Sequence, residues 1–217
     1  MTVELPLFAL NTVLFPHMPL ALHVFEPRYR QMLADCSAQG TSFGVIAIAG
    51  GHEVAGPALP NMVGTLAQIV SNDALDDGRH DLLVRGATRF QVESVSLEHA
   101  YLVAEVRWLE ESPGATPDQL VTLVERASQA FLQYANGLRA LAASDSDEID
   151  LPADPEKLAY LMSATLQVDT CQKQNLLELT STADQLRACL KVLRREVLFV
   201  DQMLTRRNMR VGLISPN

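Results

Sequence analysis

Ser112-Pro113-Gly114-Ala115-Thr116-Pro117-Asp118-Gln119 separates two parts of the sequence that have different hydrophobic periods. The Ser-Pro-Gly tripeptide is typical of a turn. Thr116 and Gln119 have the spacing of a capping box, and Pro117 occupies the first helical position, so a helix begins here. We therefore predict two domains, a β domain over residues 1–113 and a helical domain over residues 114–217.

The residues before this stretch alternate between apolar and polar side chains, which is typical of half-buried strands. The pattern predicts about seven strands, enough for a closed barrel or a sandwich: residues 3–7, 20–24, 43–49, 62–70, 81–85, 88–95 and 102–108. One helix is predicted between the second and third strands, because Pro27 suits a helix start and Gly40 can end it. Its apolar face is formed by Tyr29, Met32, Leu33 and Cys36.

The residues after this stretch have helical periods. Apolar residues at alternating spacings of four and three run from Leu120 to Leu141 and again from Ala183 to Leu204. Thr182 and Gln185 form a second capping box at the start of the last helix. Two stripes of matching spacing predict an intramolecular antiparallel bundle, which we favour over an intermolecular coiled coil because only about three heptads are present.

The charge of the chain limits the classes of partner. Lys and Arg number 17 against 26 Asp and Glu, a net charge of −9, which argues against a general affinity for nucleic-acid backbones. The last helix is an exception, since four basic residues share one of its faces: Arg187, Lys191, Arg194 and Arg195. A solvated face is the favoured interpretation, and a nucleic-acid surface is the alternative.

Targeting and redox signals indicate a cytoplasmic protein. The three cysteines lie far apart, so the sequence predicts no disulfide framework. No basic side chain precedes Arg28, so the N-terminal sequence lacks the positively charged residues with which a signal peptide begins. No apolar run approaches the ~20 residues that a membrane helix needs, and we expect no membrane partner.

The candidate catalytic motifs lack the structural context that their chemistry requires. Residues 40–44 match the hydrolase pattern G-x-S-x-G, but a helix precedes Ser42 and a strand follows it, the reverse of a nucleophile elbow. No lysine lies in a phosphate-binding glycine loop. His17, His23, His52, His80 and His99 show no helical ligand spacing. We predict no catalytic residue, no metal and no cofactor, and a hydrolase acting through Ser42 remains the weakest function class.

Six short motifs occur in a familiar order: Leu5-Pro6-Leu7-Phe8, residues 11–16 (NTVLFP), residues 25–32 (FEPRYRQM), Phe43-Gly44-Val45-Ile46, Val63-Gly64-Thr65, and Gly86 with Arg89-Phe90. Together they resemble the N-terminal substrate-binding domain of the ATP-dependent protease Lon. The resemblance implies an α+β fold, a PUA-like β pseudobarrel followed by a C-terminal α-helical bundle. The ATPase loop and the Ser/Lys peptidase dyad of that protease are missing from the sequence, so we expect a stand-alone domain.

The resemblance implies a non-catalytic module that binds polypeptide, such as an adaptor in protein quality control. Its partners would be unfolded or specific client proteins, with an ATP-dependent protease or chaperone acting in trans, and a homo-oligomer is compatible with it. The candidate contact residues are His17, Met18, Glu26, Arg28, Met62 and Arg89. For the three charged residues among them, structural ion pairs are favoured over a binding groove. The alternative is an RNA-binding PUA-like protein that uses the basic last helix.

Overall fold

A computed structural model describes residues 2–50, 59–96, 98–142 and 149–214, with side chains omitted at 50, 59 and 208–214. His52 and most of the acidic segment 144–150 therefore lie outside the described residues. The chain forms six strands and five helices within these ranges, which confirms the α+β class. They are β1 Val3–Leu10, β2 Pro19–Val24, α1 Pro27–Gln39, β3 Phe43–Gly50, β4 Leu59–Ala74, β5 His80–Ser96, β6 Leu102–Trp108, α2 Pro117–Ala142, α3 Pro155–Thr165, α4 Thr170–Leu177 and α5 Thr182–Ile214.

The strands form one sheet that closes on itself. The order of the strands is β2-β5-β4-β3-β1-β6. Because β5 also pairs with β6, the five strands from β5 to β6 in this order close into a barrel. Strand β2 pairs with β5 outside this closed set. Among the described strands, β1 and β3 pair in parallel, and the other paired strands are antiparallel. The long strand β5 pairs with β2 along its first half and with β6 along its second half.

The two runs predicted as separate strands over residues 81–85 and 88–95 are one strand, β5, so the described residues form six strands where about seven were predicted. Gly86 lies between the two predicted runs and continues the pairing of β5 with β4 opposite Ala67. The His17 amide donates to the Gly86 carbonyl (2.8 Å), and the Gly86 amide donates to the Met18 carbonyl (3.0 Å). A Cβ on Gly86 would collide with the Phe15 carbonyl, so the glycine marks a close backbone approach and not a turn.

Two clusters of buried residues pack around the sheet and α1. One contains Phe8, Phe43 and the buried face of α1, and the other contains Leu7, Ile46, Phe90 and Val106. All four residues predicted for the apolar face of α1 are buried, and the Tyr29 ring lies 4.0 Å from that of Phe8. Gly40 ends the helix in the left-handed conformation (φ 64°), as the sequence predicts.

The chain divides into two compact units. The first comprises Met1–Glu111 and Ser163–Leu179, and the second comprises Ser112–Met162 and Thr180–Asn217. The first boundary lies two residues before the predicted one. The structure differs from the prediction in that residues 163–179, which contain α4, leave the helical unit and pack with the sheet.

The two long helices of the second unit pack against each other in parallel, so the predicted antiparallel arrangement was wrong. Near their starts, the Thr182 amide donates to the Ser112 carbonyl (2.8 Å). Near their ends, Arg207 of α5 donates to the Ala140 and Leu141 carbonyls of α2 (3.0 and 2.7 Å). The described residues 149–181 lead the chain to the start of α5, which lies beside the start of α2. Hydrophobic periodicity carries no information about this path.

The caps of these helices agree with the sequence at α2 and differ at α5. The Thr116 amide donates to the Gln119 side chain (3.3 Å), which confirms one half of the predicted capping box. At α5, Ser181 and not Thr182 is the capping residue, because its hydroxyl accepts from the Asp184 amide (3.2 Å) and donates to the Asp184 carboxylate (2.7 Å). Thr182 is buried instead.

We predict that Gly86→Ala lowers the free energy of unfolding by about 1–3 kcal/mol, because the new methyl group overpacks against a backbone carbonyl that cannot move alone. Urea denaturation measures the change. Thr88→Ser, at an exposed position of the same strand, is the control and shifts the same quantity by less than about 0.5 kcal/mol. Equal stability of Gly86→Ala and the unaltered protein would contradict the close approach.

Candidate functional site

Arg89 is a buried charge inside the first unit and is only 2% exposed. Its Nε and Nη2 donate to the two carboxylate oxygens of Glu111 (both 2.8 Å), a bidentate pair. Its Nη1 donates to the carbonyls of Leu177 and Leu179 (2.5 and 2.6 Å) at the end of α4. The guanidinium thus joins β5, the segment after β6 and the end of α4.

This network corrects the candidate role of Arg89. A side chain that is 2% exposed is not available at the surface to contact a client, whereas the ion-pair interpretation agrees with its bond to Glu111. Gln174 strengthens the same junction, since its Nε2 donates to the Val63 carbonyl of β4 (3.0 Å) and to Glu178 (2.8 Å). Arg89 therefore positions α4 on the sheet.

Glu26 and Arg28 also pair with each other. Their Oε2 and Nη2 atoms are 3.0 Å apart, and the Arg28 guanidinium lies 4.5 Å from the centroid of the Tyr29 ring. Both side chains are partly exposed, at 16% and 27%. The pair fixes the first turn of α1 and leaves part of each charge open to solvent.

The remaining predicted contact residues occupy two other settings. His17 is exposed, with a positive φ of 66°, and Met18 is half-buried in the turn that meets Gly86. Met62 is 51% exposed on β4, where it lines a depression of about 480 Å³ beside Asn61 and Glu178. The structure therefore distributes the predicted contacts over a turn, a helix start and a strand.

A cleft of about 420 Å³ beside β1 was missed by the sequence reasoning. We call it the β1 cleft. Strand β1, the end of α1 with the segment after it, one residue of β4, and residues before and within β6 contribute to its walls. The lining residues are Val3, Glu4, Leu5, Pro6, Gln39, Thr41, Ser42, Leu66, His99, Tyr101, Val103 and Trp108. The signal that would have found it is the pair Tyr101 and Trp108, aromatic residues at either end of β6.

The phenol of Tyr101 in the β1 cleft is held in place by its neighbours and is unsuited to proton transfer. The Tyr101 hydroxyl donates to Asp35 (2.8 Å), and the His99 ring stacks on Tyr101 at 5.9 Å. Burial of the phenol, reinforced by the hydrogen bond to Asp35, raises the pKa of Tyr101 to about 12. A general acid or base needs a pKa near the working pH, so Tyr101 supplies an apolar face to the cleft.

Ser42 lines the β1 cleft, but its backbone setting is that predicted from sequence. Helix α1 precedes it and strand β3 follows it, so the strand-serine-helix order of a nucleophile elbow is reversed. Within the described ranges, no cluster of His, Cys, Asp and Glu side chains has the arrangement to hold a metal ion. No described helix is both long enough and apolar enough to span a bilayer.

The four basic residues predicted to share a face of α5 are all exposed. Arg187 pairs with Asp184 (2.8 Å) and Arg195 pairs with Glu196 (2.9 Å). Two of the four positive charges are therefore partly neutralised by neighbours on the same helix.

Known proteins similar to this chain have one domain in common. A sequence model of the ATP-dependent protease La (LON) substrate-binding domain matches residues 4–195. Lon protease 1 of Hydrogenovibrio crunogenus is 25% identical over 86% of this chain, and Lon protease 2 of Herpetosiphon aurantiacus is 30% identical over 90%. These matches cover 23% and 24% of the two proteases, so the chain spans about a quarter of the length of the curated relatives it matches.

Two solved structures are similar over nearly their whole length. The Lon N-terminal domain protein from Xanthomonas campestris is 27% identical, with a TM-score of 0.64 over 87% of this chain and 98% of that one. The N-terminal domain of the Mycobacterium avium complex Lon protease is 20% identical, with a TM-score of 0.67 over 88% of this chain and 98% of that one. The second likeness concerns the fold alone.

We predict that Arg89→Ala lowers the free energy of unfolding by about 3–5 kcal/mol, because it leaves the Glu111 carboxylate and two carbonyls without their buried partner. Arg107→Ala is the matched control. It removes an ion pair with Glu93 whose side chains are 52% and 44% exposed, and costs less than about 1 kcal/mol. Urea denaturation of both variants tests the contrast, and similar losses in the two would contradict it.

Proposed function

The chain belongs to the family of the ATP-dependent protease La (LON) substrate-binding domain, and from this membership we propose that it is a non-catalytic module that binds polypeptide chains. The observation that carries the proposal is the family match over residues 4–195, which covers the sheet and most of the helices. A binding module of this kind requires an accessible apolar surface and needs no reacting groups.

The β1 cleft supports this proposal because it is accessible and lined mainly by apolar and aromatic side chains. Trp108 and Tyr101 have large surfaces whose burial contributes about 25 cal/mol per Å² to binding. Aromatic side chains also lose little conformational entropy when they are covered, which favours them in recognition surfaces. The high pKa of Tyr101 makes its phenol a poor general acid or base near neutral pH.

An adaptor role follows if the bound polypeptide is passed to another protein. The curated relatives are proteases about four times longer than the matched region. We propose that an ATP-dependent protease or a chaperone acts on the captured chain in trans, in the cytoplasm. Binding would then select clients, and the partner would supply unfolding and cleavage.

RNA binding through the basic face of α5 is the second candidate, and the structure gives it no added support. The face is exposed, but Arg187 and Arg195 each have an acidic neighbour in contact. A net charge of −9 opposes association with a phosphate backbone. An electrostatic complex would also weaken steeply with added salt, which makes this alternative simple to test.

We predict saturable binding of a fluorescently labelled, permanently unfolded polypeptide, with a Kd of about 10 µM, equivalent to about 7 kcal/mol. Fluorescence anisotropy measures it, with the folded form of the same polypeptide and a single-stranded RNA as controls. Met62→Ser and Met18→Ser test whether these predicted contacts contribute. No binding of the unfolded probe would contradict the proposal, and salt-sensitive binding of the RNA alone would favour the second candidate.

A further inference from the structure

Strand β1 is paired unequally along its two edges. On one side, β6 pairs with Val3 through Leu7. On the other side, β3 pairs only with Leu7 through Leu10, starting at Leu7 opposite Gly44. Among the described residues, no strand pairs with Val3–Pro6 on the edge that faces β3. The first half of β1 therefore presents one edge of its backbone without a ladder partner.

The β1 cleft runs along this edge. All four residues Val3, Glu4, Leu5 and Pro6 line it, and Thr41 and Ser42, just before β3 begins at Phe43, line it as well. The cleft thus occupies the position that an earlier start of β3 would have filled. Adjacent strands lie about 4.8 Å apart, so an extended backbone placed at that spacing would pair with this edge.

We propose, on the basis of the polypeptide-binding function above, that a bound polypeptide inserts an extended segment into the β1 cleft and adds to the Val3–Pro6 edge as a strand. Main-chain hydrogen bonds to the edge would give affinity independent of sequence, as in other complexes formed by strand addition. Pro6 has no amide hydrogen and contributes only its carbonyl to such a ladder. This mode of binding explains how one module captures many different chains.

The side chains around the edge define a preference for apolar residues. Leu66 and Trp108 are partly buried and pack against the core cluster that contains Leu5, whereas the partly buried Tyr101 packs against the other cluster. Partly exposed apolar side chains from both clusters therefore line the cleft. Successive side chains of an added strand point to opposite faces. Segments with consecutive apolar residues, which folded proteins keep in their cores, would therefore bind best.

Charge adds a preference for a basic residue in the same segment. Glu4 lines the cleft and lies directly opposite Glu105 of β6. Neither carboxylate forms an ion pair with a described residue, and like charges at opposed positions of two strands repel. A lysine or arginine of the added strand near Glu4 would relieve this repulsion.

Backbone methylation of the probe tests the proposal on the unaltered protein. The probe is a labelled peptide of about eight residues, a usual strand length, with apolar residues and one central lysine. N-methyl groups on one alternating set of its amides should weaken binding at least about tenfold, because they remove ladder hydrogen bonds. Methyl groups on the other set, which faces solvent, should change the Kd less than about threefold. Equal Kd values for the two methylated peptides would overturn strand addition.

Two variants locate the site. Ser42→Trp should fill the cleft and weaken peptide binding at least about tenfold, while Ser71→Trp, an exposed position on β4 outside the cleft, should leave it unchanged. Glu4→Lys should reverse the preference between the lysine peptide and its glutamate counterpart. Thermal unfolding checks that each variant is folded.

The results separate this inference from the proposed function. Binding of the unfolded polypeptide that persists in Ser42→Trp and does not depend on backbone methylation would overturn strand addition and leave polypeptide binding standing. Failure of the unaltered protein to bind any polypeptide would overturn both. Loss of binding in Ser42→Trp, together with unequal effects of the two methylation sets, supports strand addition in the β1 cleft.

Discussion

The buried guanidinium of Arg89 imposes the constraint on which the first unit depends. A charge removed from water is costly unless every donor is directed at an acceptor. Here the acceptors are the Glu111 carboxylate and the carbonyls of Leu177 and Leu179. The hydrogen bonds of this one side chain therefore require the segment after β6 and the end of α4 to meet beside β5. This accounts for the packing of residues 163–179 with the unit that contains the sheet.

The barrel that this junction supports is also the origin of the β1 cleft. A parallel pair needs no matched ends, and the pairing of β1 with β3 begins only at Leu7, whereas β1 itself starts at Val3. The offset leaves part of one strand edge open between aromatic side chains. Closure of the sheet through β5 and β6 removes the other edges of the five-stranded barrel. A strand edge inside a rigid barrel is prearranged for binding, which limits the entropy lost when a flexible chain is ordered on it.

Several features were predictable because they depend on neighbours in sequence. The four buried residues of α1 follow helical spacing, and Gly40 ends that helix as its lack of a Cβ allows. The strand positions follow from alternation, and the capping contact of Thr116 with Gln119 follows from their separation by three residues. The single strand β5 was predicted as two runs, because a glycine between two β-rich stretches looks the same in sequence whether it ends a strand or lies under a crossing carbonyl.

The sequence by itself therefore determined the fold class, most element positions and the absence of a recognisable catalytic motif, because periodicity and capping are properties of contiguous residues. Only the tertiary structure decided that α2 and α5 are parallel, that Arg89 is internal, and that Glu4, Ser42, Tyr101 and Trp108 share one cleft. These outcomes depend on which distant segments meet. Burial of charge, closure of the sheet and the register between strands determine which distant segments contact each other. The spacing of neighbouring residues does not encode these contacts.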